Sequence, residues 1–122
     1  MRPATTWTFP AFASVLVMLM AAPASARDAS CRVLSGGKVV LDKRCDFQAV
    51  DGNGSFSLSA RGGTKDPLFP DVLSLSLTVI KPGVAEVRGL TKDGINSRWG
   101  EAHRSTKDGA CWDGSDFQIC AR

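Results

Sequence analysis

Tyrosine is absent from these 122 residues, histidine occurs once, and the only glutamates are Glu86 and Glu101. Each scarcity narrows the chemistry. Any Ser-His-Asp or Cys-His catalytic arrangement must pass through His103, and neither a nucleophile elbow nor an oxyanion-hole loop marks a nucleophile near it. Two isolated glutamates give no neighbouring carboxylates whose pKa values are driven apart, as acid–base hydrolases require. No C-x-x-C pair is present, which removes the commonest zinc and thiol-redox signatures. A long hydrophobic run is also missing. The stretch 11–22 (AFASVLVMLMAA) is apolar apart from Ser14 and falls short of the ~20 residues that span a bilayer.

That short run belongs instead to an export signal. Arg2 is the only charge before it, and Ala24-Ser25-Ala26 forms an A-x-A cleavage site before Arg27. Residues 1–26 therefore read as a signal peptide and residues 27–122 as one domain, with no stable membrane insertion after cleavage. Removing 26 of the 122 residues leaves 96, enough for a single small core. Losing Arg2 leaves 14 of the 15 Lys and Arg against 12 Asp and Glu, a net charge of +2. Such a balance gives no strong field for nucleic acid or an anionic membrane. The remaining aromatics are Phe47, Phe56, Phe69, Trp99, Trp112 and Phe117, enough for a core and few for a stacking platform.

Four cysteines follow the signal: Cys31, Cys45, Cys111 and Cys120. In an exported chain they point to disulfides, because the thiols meet an oxidising compartment. Three connectivities are open. The register of the last hairpin favours the local one, Cys111 with Cys120 and hence Cys31 with Cys45.

Period-2 alternation and tight turns dominate the rest, and no segment carries a helical stripe. In 45–60 (CDFQAVDGNGSFSLSA), a turn at Gly52-Asn53 sets Phe47 opposite Leu58 and Ala49 opposite Phe56. A second hairpin is expected from Val72 to Leu90, closed by a three-residue loop Lys81-Pro82-Gly83, with Ala85 and Val87 opposite Val79 and Leu77. Thr-Lys-Asp-Gly occurs at 91–94 and again at 106–109, and both copies fit a type I turn ending in a left-handed glycine. The last hairpin turns at Ser115-Asp116 and brings Cys111 opposite Cys120. About eight short strands in meander order predict an all-β fold, either a small antiparallel barrel or a two-sheet sandwich, with two local disulfides.

Candidate functional residues are few. The segment 98–104 (RWGEAHR) gathers Trp, Arg, Glu and the sole His, types that concentrate binding energy. Trp99, His103 and Arg104 are therefore the first candidates for a partner-binding surface; Trp99 alternatively plugs one end of the barrel. Leu68 and Phe69, between two prolines in 61–71 (RGGTKDPLFPD), are the second candidates: a protruding apolar tip, or a loop folded back on the core. Asp51, Asn53 and Ser55 alternate like the first ligands of a calcium loop, but its Gly and bidentate Glu positions hold Phe56 and Gly62. No metal and no cofactor is expected.

Gly109-Ala110-Cys111-Trp112 followed by Cys120, together with Gly37-Lys38, Cys45-Asp46-Phe47, Asp51-Gly52 and Ser55-Phe56, resembles small exported proteins of alphaproteobacteria. The resemblance implies a periplasmic or secreted setting and carries no catalytic residue across. More distantly, size, export and stapled β architecture are similar to periplasmic inhibitors of lysozyme and of secreted metalloproteases. The inhibitor loop of the lysozyme type carries Ser-Gly with a nearby Tyr; Ser35-Gly36 is present here and the Tyr is not. The expected role is non-catalytic binding of an envelope or extracellular protein, with no nucleic-acid partner. The alternatives are a small hydrolase working through His103 and a purely structural envelope component.

Overall fold

The computed structural model describes residues 26–62 and 65–122, together with Pro3, Ala4 and Ser14. Apart from these positions, the export signal read at 1–26 lies outside the described residues. The alternation of small or apolar with polar side chains produces eight strands: β1 (Arg27–Ser35), β2 (Lys38–Val50), β3 (Ser55–Ser59), β4 (Val72–Lys81), β5 (Val84–Thr91), β6 (Asn96–Arg104), β7 (Cys111–Gly114) and β8 (Phe117–Ala121). Each pairs antiparallel with the next, and β8 pairs back onto β1, with Val33 opposite Ile119. The meander is a closed barrel, so the sandwich alternative falls away. Every strand has a neighbour on both sides, though residues 38–45 of β2 pair on the β1 side only.

The expected registers are those observed. Phe47 lies opposite Leu58 and Ala49 opposite Phe56; Leu77 lies opposite Val87 and Val79 opposite Ala85. Two turns differ in detail. The β2–β3 loop has four residues, 51–54, with Asp51 and Gly52 both left-handed (φ 62° and 66°). Lys81 pairs with Val84, which leaves a two-residue loop at Pro82-Gly83 and a register shift at Ile80.

The two Thr-Lys-Asp-Gly segments also part company. Gly94 is left-handed (φ 80°), and its N–H donates to Thr91 O at 3.0 Å, as a type I turn with a terminal glycine requires. Gly109 is not left-handed. Its loop is built on side chains instead: Ser105 Oγ accepts the N–H groups of Lys107 and Asp108, each at 3.2 Å, and Asp108 Oδ1 accepts that of Ala110 at 3.1 Å.

The core is filled. Ala29, Cys31, Val33, Leu58, Leu68, Leu75, Leu77, Val87 and Ile119 are among its buried members, and burying a leucine or valine contributes about 1.5–3 kcal/mol. The disulfides Cys31–Cys45 and Cys111–Cys120 have Cα separations of 5.8 and 4.0 Å. The first links diagonal positions, since Cys45 faces Ala29 and Cys31 faces Lys43. The second joins residues directly opposite in the β7–β8 ladder. Both suit an oxidising compartment outside the cytosol.

Strand order gives the barrel two distinct ends. Loops 36–37, 60–71, 92–95 and 115–116 share one; loops 51–54, 82–83 and 105–110 share the other with residues 27 and 122. We call the second the terminal end. At the first end Trp99 packs edge-on against Phe69 and Phe117, ring centroids 6.1 and 5.5 Å away, and closes the barrel. Two glycines make that plug possible. A Cβ on Gly89 would come within 2.8 Å of the Trp99 indole nitrogen, and one on Gly114 within 2.2 Å of the Phe117 ring.

Candidate binding site at the terminal end of the barrel

The five candidate residues do not form one surface. Trp99 is half-buried in the plug; Leu68 is fully buried and Phe69 nearly so. Around Leu68 and Phe69 the loop folds back on the core, and no apolar tip protrudes from it among the described residues. The folded-back loop and the plugging Trp99 are the alternatives the sequence left open for these residues. His103 stands exposed on the outer wall, opposite Val84 on one side and Asp113 on the other, with Nε2 3.5 Å from Glu101 Oε1. Ser105, two residues away, has its Oγ engaged by the two backbone N–H groups of its own loop. Arg104 alone reaches the terminal end.

There Arg104 lies directly opposite Trp112 in the β6–β7 ladder, its guanidinium 5.6 Å from the centroid of the buried indole. Arg104 Nε donates to Gly109 O at 3.0 Å. A ring face and a carbonyl thus fix the orientation of the fork. Across the same mouth Arg27 covers Phe47 at 4.5 Å, and Phe47 stacks on Phe56 at 4.8 Å between centroids. Arg27, Phe47, Phe56, Arg104 and Trp112 line one cleft of about 220 Å³. A second, of about 450 Å³, adjoins it through Gly54, Arg104 and Trp112, and is walled by Val79, Ile80, Lys81 and Pro82. Ile80 is 58% exposed there, beside the bulge that turns it outward.

An aromatic face under the guanidinium, together with the lack of an ion pair, distinguishes these two arginines from the rest. Of the eight from Arg27 onward, Arg44, Arg61, Arg88, Arg98 and Arg122 form ion pairs with carboxylates. Among the described residues Arg27, Arg32 and Arg104 do not; Arg27 and Arg104 lie at the terminal mouth, and Arg32 lines a groove on the outer wall. A larger polar groove of about 730 Å³ runs along the outer wall over the Cys111–Cys120 disulfide. Two pairs of its groups satisfy each other, while Arg32, Asp42 and Lys107 line it without an ion pair among the described residues. Arg122 forms a fork with Asp108, Nη1 to Oδ1 at 3.1 Å and Nη2 to Oδ2; Gln118 donates to Asp113 at 2.7 Å. The Arg122 hydrogen bonds, aided by the Ala110 N–H, hold the Asp108 carboxyl below its ordinary range.

Asn53 Oδ1 accepts the Ser55 N–H at 3.1 Å and the buried Ser55 Oγ accepts that of Val79 at 2.8 Å. The residues of the calcium-like pattern thus serve the hairpin loop. Sequence reasoning missed Arg27, Phe47, Ile80 and Trp112 as partners of Arg104. A signal existed for one of them: a three-residue loop Lys107-Asp108-Gly109 sets Ser105 opposite Cys111 and hence Arg104 opposite Trp112. Nothing local announces the meeting of β1, β2 and β6 residues across the mouth. Set against protein-family models, curated proteins and solved structures, the chain finds no match.

Proposed function

We propose that the barrel is a non-catalytic binding module of the periplasm or extracellular medium that holds a protein partner at its terminal end. The observation carrying this reading is the pair of oriented arginines, Arg27 and Arg104. Each lies on an aromatic face beside an apolar cleft, and neither has a carboxylate among the described residues. Arginine and tryptophan so placed are the residue types that dominate interface energetics. A closed, doubly stapled barrel also presents its loops at little ordering cost on binding. An inhibitor of an extracellular enzyme is one form this function takes.

The partner class follows from the shape of the cleft. The barrel interior is filled, so a ligand sits on the mouth rather than inside it, and a small molecule would keep one face in water. Enclosing pockets bury 70–90% or more of a small ligand; a protein covers such a mouth from outside. The exposed position of His103 and the engaged hydroxyl of Ser105 also favour binding over a hydrolase. Capture experiments on extract from the cell envelope test the reading. We expect a saturable partner whose retention survives His103→Ala and drops with Arg104→Gln. Absence of any saturable partner would leave a structural role, and turnover abolished by His103→Ala would replace the reading with an enzyme. Full activity of lysozymes and secreted proteases in the presence of the protein would remove the inhibitor form.

A further inference from the structure

Resting on that reading, the geometry points to the chemistry of the partner's docking element. We infer that the terminal mouth takes a short segment carrying a carboxylate next to a large aliphatic or aromatic side chain.

The argument starts at Arg104. Its Nε is occupied by Gly109 O, and its plane is set by the Trp112 ring. The two terminal nitrogens have no hydrogen-bond partner among the described residues and remain as a fork, the geometry that binds a carboxylate through two parallel hydrogen bonds. Lys81 borders the same cleft and Arg27 the adjoining one, so three cations line the two clefts, with Asp51 the exposed carboxylate of the 51–54 loop at the same end. Of the acidic groups nearest in sequence, Glu101 lies 3.5 Å from His103 Nε2 and Asp108 is committed to Arg122.

The remaining wall is apolar. Val79, Ile80 and Pro82 face Trp112 across the larger cleft, and Ile80 is more than half exposed at 58%. An isoleucine left in water beside an oriented guanidinium calls for a ligand apolar at one point and anionic at the next. A purely acidic segment would leave Ile80 uncovered, and a purely apolar one would bury Arg104 and Lys81 without partners, which is costly. Nucleic acid fits less well, because the guanidiniums already cover the ring faces that bases would stack on.

The test is a random peptide library displayed on phage and selected against the folded protein, in parallel with its Arg104→Gln and Ile80→Ser variants. Ile80 is exposed, so its replacement leaves the fold intact; an unchanged circular-dichroism spectrum qualifies each variant. Enriched peptides should carry Asp or Glu within two positions of Leu, Ile, Phe or Trp. The best of them should bind about tenfold more weakly to either variant, and Arg104→Lys should recover only part of the loss. Enrichment of peptides without an acidic residue, or equal binding by wild type and Arg104→Gln, overturns the inference while leaving the binding reading standing. No enrichment, while envelope extract still yields a saturable partner, has the same meaning. No enrichment and no partner overturns both.

Discussion

Gly114 and Phe117 are three residues apart, and the space that one lacks is filled by the other. A methyl at position 114 would stand 2.2 Å from the Phe117 ring, whereas at position 109 it would meet nothing within 4 Å, and neither glycine is left-handed. Gly114→Ala should therefore destabilise the protein by about 1–3 kcal/mol, the cost of overpacking, while Gly109→Ala should stay within about 0.5 kcal/mol. Denaturant unfolding of the two variants measures the difference directly. Ionisation adds a second prediction at this scale. The carboxyls of Asp28 and Asp108 are held below their ordinary range, chiefly by hydrogen bonds from Arg44 and Arg122. A carboxyl with a lowered folded-state pKa contributes stability that is complete above its ordinary value of about 4 and is lost as pH falls through the lowered value. Unfolding midpoints should thus be flat above about pH 5 and decline below pH 4. The decline should be shallower in Asp28→Asn and Asp108→Asn.

At the scale of the element, hairpins are the units that the sequence specifies and the disulfides lock. Cys111–Cys120 closes a span of 9 residues and Cys31–Cys45 one of 14, so each should contribute about 2–3 kcal/mol by restricting the unfolded chain. Replacing Cys111 and Cys120 together by serine should lower stability by that amount. Amide exchange should then quicken first in β7 and β8, where the bond joins opposite residues of the ladder. Mass spectrometry of unreduced digests should recover the Cys31–Cys45 and Cys111–Cys120 peptides and no others.

These hairpins were legible because two local signals agree. In 45–60 the turn that closes the chain also sorts Phe47, Phe56 and Leu58 onto one face, and Leu77 opposite Val87 repeats the logic in 72–90. Turn chemistry was less legible. Identical letters at 91–94 and 106–109 gave a left-handed glycine only in the first, since Ser105 and Asp108 supply the second loop with side-chain acceptors. A loop folded back on the core was one of the two readings open for Leu68, and its burial matches that one. β3 pairs with only residues 46–50 of the long β2, a feature of the barrel that no local pattern announces.

For the whole molecule, closure is the decisive event. It turns a meander into a ring of eight strands around a buried core, and confines recognition to two ends and the outer wall. It also separates residues that adjoin in sequence: Trp99 goes inward to plug one end, and Arg104, five positions later, arrives at the other. The candidate segment 98–104 is thus a strand connecting two ends with different roles, and only its last residue belongs to the proposed site. The central claim is that partners meet the terminal end. It is tested most directly by a photo-crosslinking amino acid placed at Ile80, on that end, or at Ile95, which is 61% exposed on the opposite one, in protein made by the producing cell. The account predicts a discrete adduct from position 80 that Arg104→Gln diminishes, and none from position 95. An adduct from position 95 alone, or one from position 80 indifferent to Arg104, would contradict it.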